Sequence, residues 1–199
     1  MCIRDREGLS RHYEEARRFG RIVSEAANKD EHRFVIVTGG GPGVMEAANR
    51  GAADAGTISI GHNIVLPHEQ APNPWITPEL CFQFHYFALR KMHLLTRARA
   101  LVVFPGGFGT MDELFETLCL IQTGKSRPMP VLLFDEAYWR SIVNFEGLVD
   151  AGVVSAADLA IMRFVETAEE AWQVICDHYR RRPEDTVGAT PTVEDRPRR

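Results

Sequence analysis

Two glycine-rich segments hold the residue types best suited to chemistry. The first is Gly39-Gly40-Gly41-Pro42-Gly43, and the second is Pro105-Gly106-Gly107-Phe108-Gly109. A backbone that wraps a phosphate needs glycines to come close to the anion. It also needs a following helix whose free N–H groups point at it. Both segments meet these needs. The substrate-binding candidates are Gly40, Gly41 and Gly43 in the first loop and Gly106, Gly107 and Gly109 in the second. Thr110 joins them, as a hydroxyl at the start of the next helix that caps N–H groups or binds a phosphate oxygen. Glycines also make tight strand-to-helix turns, which is the competing explanation for either loop alone. Asp112, Glu113 and Glu116 follow the second loop, where acids are favoured by the helix dipole in any case. Arg90-Lys91 lies upstream of the strand that feeds this loop, with a solvated helix face as its bland alternative. A carboxylate and a phosphate-binding cation near one glycine cradle suit cleavage of a phosphorylated substrate.

Familiar phosphate fingerprints do not fit. GxGxxG fails at the first loop, where Gly41 and Gly43 are followed by Glu46, and at the second, where Gly107 and Gly109 are followed by Asp112. Gly124-Lys125-Ser126 resembles the end of a P-loop, but the earlier glycine is replaced by Cys119. A nicotinamide dehydrogenase and a P-loop NTPase are therefore disfavoured. Seven histidines show no HxxxH or HExxH spacing, and the four cysteines form no CxxC pair, so no metal site is expected. A net charge of −4 gives no basic excess for nucleic acid, and the longest apolar runs are far too short for a membrane span. No N-terminal run combines basic residues with a long apolar stretch, so a cytoplasmic protein with reduced thiols is expected.

The elements that must position these residues alternate between strand and helix patterns. Ser10 to Ala27 repeats Leu9, Tyr13, Ala16, Gly20, Val23 and Ala27 on one helical face. Phe34 to Thr38 is an uninterrupted β-branched run, expected to be a strand covered on both faces. Val44 to Ala55 is helical and closed by Gly56, and Thr57 to Gly61 is a further strand candidate. Leu66 to Pro78, with its prolines, reads as an ordered excursion, and Phe84 to Arg97 as a helix. Ala100 to Phe104 and Val131 to Phe134 are strands, with a helix between them marked by Met111, Leu114, Phe115, Leu118 and Cys119. Glu136 to Ala151 is helical, Ile161 to Val165 a last strand, and Ala168 to Arg181 a last helix. This alternation implies a single α/β domain, a parallel sheet with helices on both faces, over residues 8–182. Residues 183–199, with mixed charge and three prolines, are expected to be a disordered tail. Ligands of such sheets bind beyond the carboxyl ends of the strands, and both glycine loops lie there.

Pro105-Gly106-Gly107-Phe108-Gly109-Thr110-Met111-Asp112-Glu113 fits the pattern PGGxGTxxE. With Arg90-Lys91 before it and Thr38 to Glu46 earlier, the chain resembles the LOG family of cytokinin riboside 5′-monophosphate phosphoribohydrolases, once labelled lysine decarboxylases. The likeness covers roughly Arg11 to Tyr179. The form TGGGPGVMEAANRGA, with Phe82 to Phe87 ahead of Arg90, resembles the bacterial branch, whose members are similar to AMP nucleosidases. The resemblance implies a Rossmann-like fold, a homodimer with active sites near its interface, and no metal or organic cofactor. It implies hydrolysis of the N-glycosidic bond of a nucleoside 5′-monophosphate to free base and ribose 5-phosphate. Glu113 and Arg90 are then the catalytic residues. Gly40, Gly41, Gly43, Lys91, Gly106, Gly107, Gly109, Thr110 and Glu116 bind the nucleotide. A decarboxylase would need pyridoxal phosphate on a lysine, and neither Lys91 nor Lys125 sits in a recognisable cofactor motif. Family members open with a strand that ends in a glycine-serine loop, whereas Met1 to Arg6 has no strand pattern. The first strand is therefore expected to be missing. The alternative function is a non-catalytic nucleotide-binding or carrier protein of the same fold, as the related molybdenum-cofactor carriers illustrate.

Overall fold

The computed structural model describes residues 7–29, 34–65 and 71–181. The leader and the tail, 183–199, lie outside them. The chain opens with α1 (Glu7–Asn28), whose Ala16, Phe19, Val23 and Ala26 are buried while Arg18, Arg21 and Glu25 face solvent. The apolar stripe runs through Phe19 and Ala26 rather than ending at Ala27, a small rotation of the expected face. Then follow β1 (Ile36–Thr38), α2 (Val44–Asp54) and β2 (Ser59–Ile64). A 3₁₀ turn (Pro78–Leu80) leads into β3 (Cys81–Phe84) and α3 (Phe87–Thr96). The second half holds β4 (Leu101–Val103), α4 (Phe108–Gln122), β5 (Val131–Phe134) and α5 (Glu136–Ile142). It closes with α6 (Phe145–Asp150), α7 (Ala156–Leu159), β6 (Met162–Val165) and α8 (Ala168–Arg181).

All strand pairings are parallel, as expected. They form two three-stranded sheets, β1-β2-β3 and β4-β5-β6, in place of one continuous sheet. β1 and β4 are thus edge strands, with no described strand on their free sides. Tyr179 of α8 ties the two halves together near the strand starts. Its hydroxyl donates to the Arg99 carbonyl at 2.5 Å, and its ring lies 5.3 Å from that of Phe34. One core cluster also crosses between the sheets, joining Ile36 to Leu132, Phe134 and Val165 beneath α1 and α8.

β5 is buried along its whole length, and its side chains alternate between two layers. Leu132 and Phe134 pack with α1 and α8, whereas Val131 and Leu133 pack with Leu114, Trp139 and Phe145. Helices therefore cover both faces there. β1 differs from its expected burial. Ile36 is buried, but Val35 and Val37 are 41% and 42% exposed, because α1 and α2 pack only on the Ile36 side. Two further corrections concern the helices. Phe84 ends β3 and the helix starts at Phe87, so the expected helix from Phe84 begins late. The expected helix Glu136 to Ala151 is two, because the Asn144 carboxamide accepts from the Gly147 N–H and starts a new one.

α1 and α2 approach backbone to backbone through Gly20 and Gly51. A Cβ at Gly51 would strike the Arg17 carbonyl oxygen, and one at Gly20 the Ala48 carbonyl oxygen. Helix propensity alone favours Gly51→Ala by about 1 kcal/mol. Overpacking against a backbone costs about 1–3 kcal/mol and dominates here. Gly51→Ala is therefore expected to lower Tm by several degrees in thermal melting. An unchanged or higher Tm would show that the two helices part freely.

Candidate nucleotide site

The two loops that follow β1 and β4 build the site. Thr38 ends β1, and its hydroxyl accepts from the Gly40 N–H at 3.0 Å, which turns the chain sharply. Gly40 and Gly43 have φ of 75° and 76°, in the left-handed region that glycine enters without steric cost. Gly43 is the N-cap of α2 and carries no side chain to satisfy the helix's first N–H groups. In the second loop Gly107 is the N-cap of α4, which likewise has no side-chain cap. By contrast, α5, α6 and α7 are capped by Asp135, Asn144 and Ser155. The free N–H groups of α2 and α4 are the kind that bind anions. A Cβ at Gly43, Gly107 or Gly109 would meet open space, so a ligand has room beside these three. Gly41 is buried.

Thr110 is the third residue of α4, within its first turn. Its hydroxyl turns back over Gly106, so that a Cβ on Gly106 would collide with it. The Gly106 carbonyl is held from the other side by the Tyr138 hydroxyl, which donates to it at 2.6 Å. Tyr138 was not expected at the site. Its only sequence signal is its place in the first turn of the helix after the next strand.

Arg90, on α3, lies against the first loop and feels the charge of Glu113 on α4. Its Nε donates to the His62 carbonyl at 2.6 Å, and its guanidinium lies against Gly39, where a Cβ would strike it. Glu113 on α4 is the opposite charge that acts on it. Burial pushes the Glu113 pKa up, and the attraction of Arg90 and Lys91 only partly offsets this. Burial also pulls the Arg90 pKa down, again opposed by Glu113. The site thus holds a half-buried carboxylate whose proton affinity burial raises, near a cation that burial desolvates. Carboxylates in that state serve as bases better than solvated ones.

Lys91 is next to Arg90 in sequence but faces elsewhere, since adjacent helical residues are about 100° apart. Its Nζ lies 2.9 Å from Asp112 and 2.8 Å from Glu116, with only 15% of the side chain exposed. The Glu116 hydrogen bond is the largest cause of its raised pKa. Lys91 and Glu116 therefore meet each other at the edge of the cluster, beside Glu113. Among the described residues no group of histidine, cysteine and acidic side chains is arranged to hold a metal. None of the described helices is long and apolar enough to cross a membrane.

A family model described as possible lysine decarboxylase matches residues 45–175. The chain is 30% identical over 145 residues to the cytokinin riboside 5′-monophosphate phosphoribohydrolase LOG7 of Arabidopsis thaliana, covering 70% of this chain and 65% of that protein. The chain thus spans just under two thirds of that relative's length. It is 26% identical over 173 residues to LOG1 of the same plant, covering 80% and 79%. Among solved structures, the structural-genomics target TM1055 superimposes with a TM-score of 0.60 at 23% identity, over 86% of this chain and 91% of that one. The Moco carrier protein from Chlamydomonas reinhardtii superimposes with a TM-score of 0.58 at 19% identity, over 86% and 90%. These superpositions establish the Rossmann-like fold.

Proposed function

The chain belongs to the LOG family, and on that premise we propose that it hydrolyses the N-glycosidic bond of nucleoside 5′-monophosphates such as AMP. Water adds its oxygen to C1′ of the ribose, and the C1′–N bond breaks with its electron pair leaving on the base. One proton of the water ends on the departing base and the other hydrogen stays on the new hydroxyl. The products are free base and ribose 5-phosphate. The observation that carries this reading is the Arg90 guanidinium set against the first uncapped glycine loop, with the half-buried Glu113 on the helix after the second loop as its counter-charge. Cleavage develops positive charge at C1′, which the Glu113 carboxylate stabilises while its raised proton affinity lets it orient and deprotonate water. Arg90 holds the nucleotide and assists the departing base. The glycine loops and Thr110 receive the 5′-phosphate, and the Lys91–Glu116 pair closes the side of the cluster.

The test is incubation with AMP, followed by chromatography for adenine and ribose 5-phosphate. Tight AMP binding without either product would favour the carrier reading, which shares its fold with the Chlamydomonas protein. A decarboxylase reading is opposed by Lys91. Schiff-base lysines need a lowered pKa, and two carboxylates hold this one above its usual value.

The active assembly proposed is a homodimer. α3 has an apolar sequence yet no fully buried residue. Phe82, Tyr86, Phe87, Leu89 and Met92 are exposed around it, and Phe108 at the start of α4 is 95% exposed. Apolar surface of that extent beside a site marks an interaction face. A second copy covering it would also exclude water from Arg90. The double variant Tyr86→Glu with Met92→Glu is expected to be monomeric by light scattering, with AMP turnover lost. A monomeric wild-type protein at micromolar concentration would overturn the assembly.

A further inference from the structure

The first glycine loop is held from behind by a side chain with no part in the chemistry above. Asn73 is buried, at 8% exposure. Its backbone N–H donates to the Gly40 carbonyl at 2.9 Å. Its carboxamide Nδ2 donates to the carbonyls of Gly40 and Gly41, both at 3.2 Å, and to Asn49 Oδ1 at 3.0 Å. Its Oδ1 accepts from the Trp75 N–H at 3.1 Å. Asn49 is fully buried and extends the network, accepting from the Thr38 hydroxyl at 2.7 Å and donating to Ser59 Oγ at 3.0 Å. The Thr38 hydroxyl in turn accepts from the Gly40 N–H.

We propose that Asn73 is a positioning residue that sets the first glycine loop for the substrate's phosphate. The glycines that let the backbone approach an anion also leave it the most conformational freedom, so the order of this loop must come from outside it. A trans peptide is planar, with its C=O and N–H on opposite sides, and the described bonds are all trans. Pinning the Gly40 carbonyl toward Asn73 therefore aims the Gly41 N–H away from it. A tie between segment 71–77 and the core needs only the backbone bond to Gly40. The carboxamide adds bonds to two successive loop carbonyls, and that addition fixes the peptide planes. Tyr138 does the same for the second loop by pinning the Gly106 carbonyl. The proposal deepens the phosphoribohydrolase reading and rests on it for the identity of the ligand.

The test compares wild type with Asn73→Asp and Asn73→Ala in the full chain. Asn73→Asp keeps the size but sets a carboxylate against two carbonyls and Asn49 Oδ1. KM for AMP is expected to rise by about tenfold or more, the scale of leaving buried polar groups unpaired. The change in kcat should be far smaller. Asn73→Ala, which removes the bonds without adding charge, should give the same direction with a smaller rise. Variants that melt lower but keep the wild-type KM would reduce Asn73 to a structural tie and overturn the proposal. A readout without substrate separates this from failure of the enzymatic reading. Amide hydrogen exchange in peptides spanning 38–45 should be faster in both variants, with α8 unaffected. Equal exchange there overturns the positioning role whatever the activity. A wild type that neither binds nor cleaves AMP would overturn the phosphoribohydrolase reading, and with it the assignment of the phosphate, while faster exchange in the variants would still support the restraint of the loop.

Discussion

Replacing Glu113 with Gln is expected to lower kcat on AMP by about 10²-fold or more, the usual scale for removing a charge that stabilises a transition state. AMP binding should stay within a few-fold of wild type, because the glycine loops that receive the phosphate are untouched. The substitution keeps the size of the side chain and removes only the negative charge. The same variant is expected to be more stable. Burial raises the Glu113 pKa even after the attraction of Arg90 is included, so ionising it works against folding. That cost is absent below the ordinary carboxylate range and grows as pH rises through it toward the folded pKa. Gln mimics the protonated acid, so Tm should rise at pH 7. The gain should vanish near pH 3. A residue that costs stability and supplies activity is what selection for function leaves at a site. Near-normal kcat in the variant would remove Glu113 from the chemistry.

Both glycine segments are legible in the sequence as strand-to-helix connections, because each stands between a β-branched run and a helical pattern. Glu113 stands out through the PGGxGTxxE pattern, since on spacing alone the helix dipole favours Asp112 there equally. Arg90 and Lys91 were legible only as a pair. Their separate roles depend on helical rotation: Arg90 turns toward His62 and Gly39, and Lys91 toward Asp112 and Glu116. Asn73 was hidden in the proline-rich stretch Leu66 to Pro78. A polar residue in a loop looks solvated until the fold shows it buried against Gly40 and Asn49. β3 was hidden because Cys81 to Phe84 runs into a helix through only His85 and Tyr86. The exposure of Val35 and Val37 has a different origin. A β-branched run specifies extended chain, whereas burial depends on which helices cover it, and α1 and α2 cover only one face.

Arg90 links elements that belong to two separate sheets. The first loop hangs from β1 and the second from β4, and no strand pairing joins those strands. The guanidinium against Gly39 and the Glu113 charge on α4 span that division at the carboxyl ends. Tyr179 spans it at the other end, through Phe34 and Arg99. Geometry at the site thus depends on side chains that cross between the halves, and loss of Arg90 should loosen the loops relative to each other.

Removing the 5′-phosphate from the substrate is expected to have a comparably large effect: kcat/KM for adenosine should lie about 10³-fold or more below that for AMP. The uncapped ends of α2 and α4 leave N–H groups that a neutral nucleoside cannot satisfy. A dianion satisfies several at once and gains from both helix dipoles, each contributing about 0.3–1 kcal/mol or more when partly buried. Charge-assisted hydrogen bonds add about 1.5–3 kcal/mol apiece. Three of them, or two together with the helix dipoles, reach the roughly 4 kcal/mol that a 10³-fold ratio requires. The phosphate also fixes C1′ relative to Glu113, so part of its binding energy should appear in kcat as well as KM. Inorganic phosphate offers a second check, because it should inhibit AMP cleavage competitively by filling the same cradle. The measurement is steady-state hydrolysis of AMP and adenosine side by side, with adenine release as the common readout. Equal kcat/KM for the two would place the glycine loops outside substrate recognition and reduce them to turns between strand and helix.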